Sequence, residues 1–181
     1  MNGLDPDVLA FSRRAGLGET PTSIEVVQAI RGLPYGRPTH RTVQCVVAEW
    51  RASCSMKHEL LVRTFRQHWP ELDLRLVHRV YQLTRDAALS LFGDGAARHV
   101  PGDGLVDVHT YAHLIAEGLT TRLDVTFDGP RWDGRSDMPL ACGDGQDFEA
   151  LGDPWAQKEE LVRTYCDPKL REPFLAALAA R

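Results

Sequence analysis

Cys54 is the side chain whose position most favours chemical reactivity. It opens a predicted helix over residues 54–68, directly after the small polar residue Ser53. The positive end of a helix dipole favours the thiolate of a cysteine placed there, and a neighbouring imidazole favours it further. The remaining cysteines fit buried or inert thiols better, because they lie on an apolar face, in a glycine-rich loop or at a helix end. They are Cys45, Cys142 and Cys166.

His109 and Asp124 are predicted to share one face of two neighbouring strands. Side chains alternate between the faces of a strand, and the apolar faces of both strands must reach one core. A tight turn at Ala116 and Glu117 would place His109 directly opposite Asp124, whereas a turn at Glu117 and Gly118 would make the pair diagonal. In either register the carboxylate is expected to orient the imidazole and to stabilise its protonated form.

Three segments that contain these residues resemble the transglutaminase-like superfamily. Residues 53–58, Ser-Cys-Ser-Met-Lys-His, are similar to its nucleophile segment, which in small bacterial members usually reads Gly-Thr-Cys-Ser-x-Lys-His. Residues 108–114, Val-His-Thr-Tyr-Ala-His-Leu, resemble its histidine strand, and residues 123–126, Leu-Asp-Val-Thr, resemble its aspartate strand. The order Cys, His, Asp agrees as well. The chain departs from the pattern at Ala52, where the family commonly has Gly, and it lacks the family's Trp before the Asp.

The resemblance implies a papain-like core, in which the cysteine helix packs on an antiparallel sheet that carries the His and the Asp. It implies acyl transfer or hydrolysis at amide and ester bonds without a metal or organic cofactor. Cys54 would attack an acyl donor (an amide, ester or thioester), His109 would move the proton, and Asp124 would orient His109. Water or an amine would then resolve the thioester, and the sequence leaves that choice open. The candidates to line the site are His58, Tyr111, Gln44 and Trp50.

Other interpretations of the same residues remain open. The chain could keep this fold as a catalytically silent binding or scaffold module. A metal site from Cys45, Cys54, His58 and His109 is less favoured, because zinc sites usually contain closely spaced ligand pairs. His58 is expected to be buried and hydrogen-bonded, and Lys57 is expected to be a surface charge.

Composition predicts an ordinary globular protein. The chain has 181 residues, of which 43% are hydrophobic and 25% charged, and this suits a single domain over 1–181 with its core at about 33–127. The formal net charge of -4 argues against nucleic acid or an anionic membrane as a partner. Residues 1–10 lack the basic and apolar pattern of a secretory signal, so a cytoplasmic location is expected.

The order of the predicted elements favours an α+β fold with an antiparallel sheet. Helices are predicted over 23–31, 42–50, 54–68, 157–166 and 168–180, and strands over 72–83, 105–115 and 119–127. Residues 93–104 and 129–154 are predicted to be loops, because both are rich in glycine and proline. Asp167 and Pro168 are expected to form the cap and first turn of the last helix.

Overall fold

The structure is a computed structural model that describes residues 5–180. Residues 1–4, which begin the segment inspected for a secretory signal, and residue 181 lie outside the described residues. Within 5–180 the chain forms an α+β fold whose four strands make one antiparallel sheet. The helices are α1 (Pro6–Arg14), α2 (Ser23–Arg31), α3 (Val43–Glu49), α4 (Cys54–His68), α5 (Arg85–Phe92), α6 (Asp94–Ala97), α7 (Pro154–Tyr165) and α8 (Pro168–Ala179). The strands are β1 (Asp73–Leu83), β2 (Leu105–Ala116), β3 (Leu119–Leu123) and β4 (Gly145–Glu149).

The helices form where a capping residue precedes apolar residues that are spaced at helical intervals. The predictions for α2 and α4 are confirmed at both ends, and α2 begins with a reciprocal capping box between Thr22 and Glu25. Asp167 caps α8 as expected. The helix predicted from residue 157 begins earlier, at Pro154, because Asp153 accepts hydrogen bonds from the first-turn N–H groups.

Two predicted loops contain regular structure. The short helix α6 lies within 93–104, and β4 lies within 129–154. The β4 strand forms because it pairs with β1 between Val77 and Tyr81, where Arg79 also forms an ion pair with Asp147. Gly145 permits this pairing, since a Cβ there would collide with the carbonyl oxygen of Val80.

The sheet has the strand order β3-β2-β1-β4. The turn between β2 and β3 is at Glu117 and Gly118, both of which have positive φ angles (51° and 76°). Ala116 therefore pairs with Leu119, which confirms the predicted alternative of a turn at Glu117 and Gly118, and the predicted turn at Ala116 and Glu117 is wrong. In the observed register Asp124 follows the strand on the level of Tyr111, so the direct opposition of His109 and Asp124 is wrong as well.

The strand predicted over 119–127 ends at Leu123. Beyond it, two backbone donors bind side chains: the N–H of Val125 donates to Nε2 of His58 (3.1 Å), and the N–H of Thr126 donates to Oδ1 of Asp124 (3.0 Å). A side chain from a distant helix and an Asx-type turn thus take over these donors, and the strand stops.

The described chain divides into two compact units. The first comprises residues 5–76 and Tyr111–Pro139, and in it α2 packs on α4 while α1 and α3 pack on each other and on α4. The second comprises Val77–Thr110 and residues 140–180, where α6 packs between α5 and α8. The single domain over 1–181 stays a prediction. None of the helices in residues 5–180 combines the length and apolar composition that a membrane span needs.

Candidate active site

The segment that leads into Cys54 is held by a short parallel bridge within the first unit. Tyr35 pairs with Ala52, whose N–H donates to the Pro34 carbonyl (3.1 Å) and whose carbonyl accepts from the Gly36 N–H (3.2 Å). Ala52 is completely buried, so its methyl group lies in the core. The bridge fixes the direction in which the chain enters α4.

Cys54 is the first residue of the 15-residue helix α4. Ser53 is the N-cap residue, yet its side chain accepts no cap hydrogen bond within residues 5–180. The Cys54 side chain is half-buried, and its Sγ lies 3.8 Å from the hydroxyl oxygen of Ser55. All four cysteines are half-buried, so exposure alone does not distinguish Cys54 from the other three.

His58 is completely buried one turn after Cys54, and its tautomer follows from its two partners. Nε2 accepts the N–H of Val125, so this nitrogen carries no proton. Nδ1 must then carry the proton, and it donates to the Cys54 carbonyl at 2.7 Å. The ring is therefore neutral, and its Nδ1 is bonded to the carbonyl of Cys54. The buried, hydrogen-bonded position expected for His58 is confirmed.

Asp124 is buried in the first unit with 3% of its surface exposed. Its Oδ1 accepts from the Thr126 N–H and lies 3.7 Å from Nε2 of His58. That second separation would suit an ion pair, but the tautomer of His58 makes it a contact between a carboxylate and an unprotonated nitrogen. His58 thus joins the two: it bonds the carbonyl of Cys54 on one side and the residue after Asp124 on the other.

Lys57 is buried, so the expectation of a surface charge is wrong. Only 1% of its surface is exposed, and its Nζ donates to the Arg31 carbonyl at 2.9 Å. Burial lowers the pKa of Lys57 to about 8, while attraction to Asp128, Asp124 and the Cys54 thiolate acts in the opposite direction.

Arg31 fastens the segment that follows Asp124. Its Nε donates to the Phe127 carbonyl (3.0 Å), and its Nη1 donates to the Pro130 carbonyl (2.6 Å). Burial lowers the pKa of Arg31, with Asp128 and Asp124 opposing that shift. His58 of α4 and Arg31 at the end of α2 therefore hold the Asp124 segment through its backbone groups, and Lys57 binds the carbonyl of Arg31.

Sequence reasoning missed the roles of Lys57 and Arg31. The signal for Lys57 was present, because it shares a helical stripe with Leu60, Leu61 and Thr64, which are all buried. A stripe of buried residues that includes one lysine places that lysine inside. Arg31 ends α2, where sequence alone favours an exposed cation interacting with the helix dipole.

The other predicted site residues lie in different surroundings. His109 is 5% exposed in β2 and belongs to the second unit, whereas Tyr111, two residues later, is fully buried in the first unit. Trp50 stacks on Phe11 with ring centroids 6.0 Å apart, and the guanidinium of Arg14 lies 4.8 Å from its ring. Gln44 is exposed on α3. Their roles at the site stay predictions.

The metal-site interpretation finds no matching cluster among residues 5–180, where no three His, Cys, Asp or Glu side chains are arranged to hold an ion. Both ring nitrogens of His58 are also engaged by backbone groups.

Comparisons with protein-family models, with curated proteins and with solved structures found no match to this chain. The class that the structure defines is therefore an α+β protein with a half-buried cysteine at a helix start.

Proposed function

We propose that this protein is a transglutaminase-like cysteine enzyme with a papain-like core, which transfers or hydrolyses acyl groups through a thioester on Cys54. His109 serves as the general acid and base, and Asp124 orients His109. The acyl donor is an amide, ester or thioester, and the acceptor is water or an amine. The chemistry uses protein groups alone, and the thiol suits the reducing cytoplasm.

The observation that carries the proposal is the connection from Cys54 to Asp124 within the first unit. Cys54 opens a long helix, its carbonyl binds the His58 ring, and the same ring accepts the N–H of the residue that follows Asp124. A thiol at a helix start and a buried carboxylate are thereby held by one rigid side chain. This supports Cys54 as the nucleophile and leaves His58 as the residue that positions it.

The proposed reaction begins with the thiolate of Cys54 attacking the acyl carbonyl, after His109 has accepted the thiol proton. A bond from sulfur to carbon forms, and the carbonyl electron pair moves to oxygen. When this pair returns, the bond to the leaving group breaks, and protonated His109 gives its proton to that group. Water or an amine then attacks the thioester, loses a proton to His109, and releases Cys54.

The developing oxyanion needs preorganised donors. The backbone N–H of Cys54 is the candidate, because the first N–H groups of a helix have no partner within the helix. The Ser53 side chain caps none of them within the described residues. His58 is not the base, because its Nδ1 donates to a carbonyl and its Nε2 already accepts a backbone N–H.

The test is the alkylation rate of each cysteine with iodoacetamide across pH, measured by peptide mass spectrometry in the wild type and in His109→Ala. Because all four cysteines are half-buried, Cys45 and Cys142 are internal controls for access. We expect Cys54 alone to react rapidly near neutral pH and to slow by about tenfold or more without His109.

A folded wild type in which Cys54 reacts no faster than Cys45, or in which His109→Ala changes nothing, would contradict the proposal. The silent binding module would then be the better interpretation. If the reactivity is found, turnover of model thioesters, esters and amides, with and without an amine, identifies the acyl donor and the acceptor.

A further inference from the structure

Lys57 is a buried cation on the same side of α4 as Cys54. The two residues are three positions apart in one helix, a spacing that makes them neighbours on its surface. The ammonium is fixed there, because Nζ donates to the carbonyl of Arg31, the last residue of α2. That carbonyl is one of those left unpaired at the end of a helix, so the lysine also caps α2 with a positive charge.

The charges around Lys57 come from several elements. Arg31 on α2 repels it, whereas Asp124 and Asp128, which follow β3, attract it, as does the thiolate of Cys54 on α4 itself. Two further helices, α1 and α3, pack on α4, and acidic residues of both form ion pairs with arginines and not with Lys57. On α1, Asp7 and the capping residue Asp5 pair with Arg63, and on α3 Glu49 pairs with Arg51.

We propose that Lys57 is a positioning residue that acts through Cys54, because its buried ammonium provides the positive potential that keeps this thiol ionised. The inference deepens the proposed function and rests on it. An attraction between two charges acts on both, so the thiolate that favours the ammonium is favoured by it equally. Inside a protein, a charge one helical turn away changes the ionisation of its neighbour by up to about one pH unit.

The proposal predicts a limit on reactivity at alkaline pH. Burial holds the pKa of Lys57 near 8, so the ammonium is present at neutral pH and disappears a few units below the ordinary range of a lysine. Above about pH 8, Lys57 becomes neutral, so Cys54 no longer has a positive charge beside it.

The experiment measures the titration midpoint of Cys54 from its alkylation rate between pH 5 and about 11, where ordinary thiols have also ionised. Lys57→Gln keeps a hydrogen-bond donor toward the Arg31 carbonyl and removes the charge. Lys57→Arg keeps the charge over the whole pH range of the experiment, because a guanidinium does not lose its proton there. Arg66→Met removes one charge from an exposed position of the same helix and is the matched control.

We expect Lys57→Gln to raise the Cys54 midpoint by about one unit, which is roughly tenfold slower alkylation at pH 7. Lys57→Arg and Arg66→Met should retain the wild-type midpoint. An unchanged midpoint in Lys57→Gln would overturn the inference, as would an equal shift in Arg66→Met. If Lys57→Gln fails to fold, by circular dichroism, Lys57→Met tests the same loss of charge with an apolar side chain.

The two proposals fail in different ways. If wild-type Cys54 ionises no more readily than Cys45, the proposed function fails, whereas the effect of Lys57 on the midpoint is still measured. If Cys54 is reactive and slows in His109→Ala, but its titration midpoint is unchanged in Lys57→Gln, only the inference about Lys57 fails.

Discussion

Each compact unit buries a lysine and at least one histidine, but the two clusters differ in how their charges are paired. In the second unit Lys158 donates to the hydroxyl oxygen of Thr110 (2.7 Å), which lies 3.1 Å from Nδ1 of His78. In the same unit Arg171 contacts Asp107 directly, with 2.6 Å between Nε and Oδ1. Burial raises the pKa of Asp107, but Arg171 and Lys158 outweigh it and the pKa ends below its usual value.

In the first unit, neither Lys57 nor Arg31 forms a direct ion pair with a carboxylate of the described residues. Lys57 and Arg31 donate to carbonyl oxygens, and Asp124 and Asp128 attract them without a hydrogen bond between the charges. The positive potential of a cation that is bonded only to a carbonyl is not cancelled by an adjacent negative charge, so it still acts on neighbouring groups. The difference indicates that the pair of Arg171 and Asp107 holds α8 on β2, whereas Lys57 has a charge available beside Cys54.

The largest expected effect is on the cluster of the second unit. Asp107→Ala leaves the largely buried guanidinium of Arg171 with a 3.6 Å contact to Glu172 in place of its 2.6 Å contact to Asp107, so we expect the free energy of unfolding at pH 7 to fall by about 3 kcal/mol. Urea denaturation measures this. The matched control is Asp94→Ala, which breaks the exposed pair with Arg98 and should cost less than about 0.5 kcal/mol.

The same pair also makes the free energy of unfolding decrease at acid pH. Because the folded pKa of Asp107 is lowered, its contribution is present above the usual value of 3.8 and is lost as the pH falls through the folded pKa. Equal losses in Asp107→Ala and Asp94→Ala would show that the buried pair is not the stabilising contact.

The next effect concerns Lys57 and has the same sign, because its pKa is also lowered in the folded protein. Its folded pKa of about 8 lies below its ordinary 10.5, so the folded chain releases this proton first. The stability gained is present above the unfolded pKa and is lost as the pH falls through the folded one. Between pH 8 and 10.5 the wild type should therefore gain about 3 kcal/mol relative to Lys57→Met.

That difference is read from urea titrations of both proteins at several pH values, so titrations common to both cancel. Arg66→Met, at an exposed position of α4, should follow the wild type at every pH. A constant difference between wild type and Lys57→Met would mean that Lys57 titrates as an ordinary lysine, and the contrast between the clusters would weaken.

Cys166 offers the counterpart of Cys54 in the second unit. It follows the last residue of α7, and burial together with Asp107 raises its pKa from 9.0 to about 11. Its alkylation at pH 8 should be about a hundredfold slower than that of an ordinary thiol, which corresponds to about 2.7 kcal/mol. Asp107→Asn should speed it, because the charge that disfavours the thiolate is removed. Rapid alkylation of Cys166 in the folded wild type would contradict this.

The sequence predicted local features well, because they depend on neighbours in the chain. The helix α4 and its cysteine followed from the polar residues before it and the apolar spacing within it. The end of β3 did not follow, since it depends on a bond from Val125 to His58, 67 residues away. Lys57 was misplaced because the burial of a charged side chain in an apolar stripe depends on a distant acceptor, here the carbonyl of Arg31, to which its Nζ donates.

The smallest expected effect separates the two helix starts. Asp153 caps α7 by accepting from the N–H groups of Trp155 and Ala156 (2.9 and 3.4 Å), so Asp153→Ala should cost about 1 kcal/mol of unfolding free energy. Ser53 at the start of α4 accepts no such bond within residues 5–180, so Ser53→Ala should change stability by only about 0.3 kcal/mol. Urea denaturation of the two variants gives the comparison. Equal costs would mean that Ser53 caps α4 in solution and occupies donors that the proposed mechanism assigns to the oxyanion, so Cys54 would lack the electrostatic support that a helix start can provide.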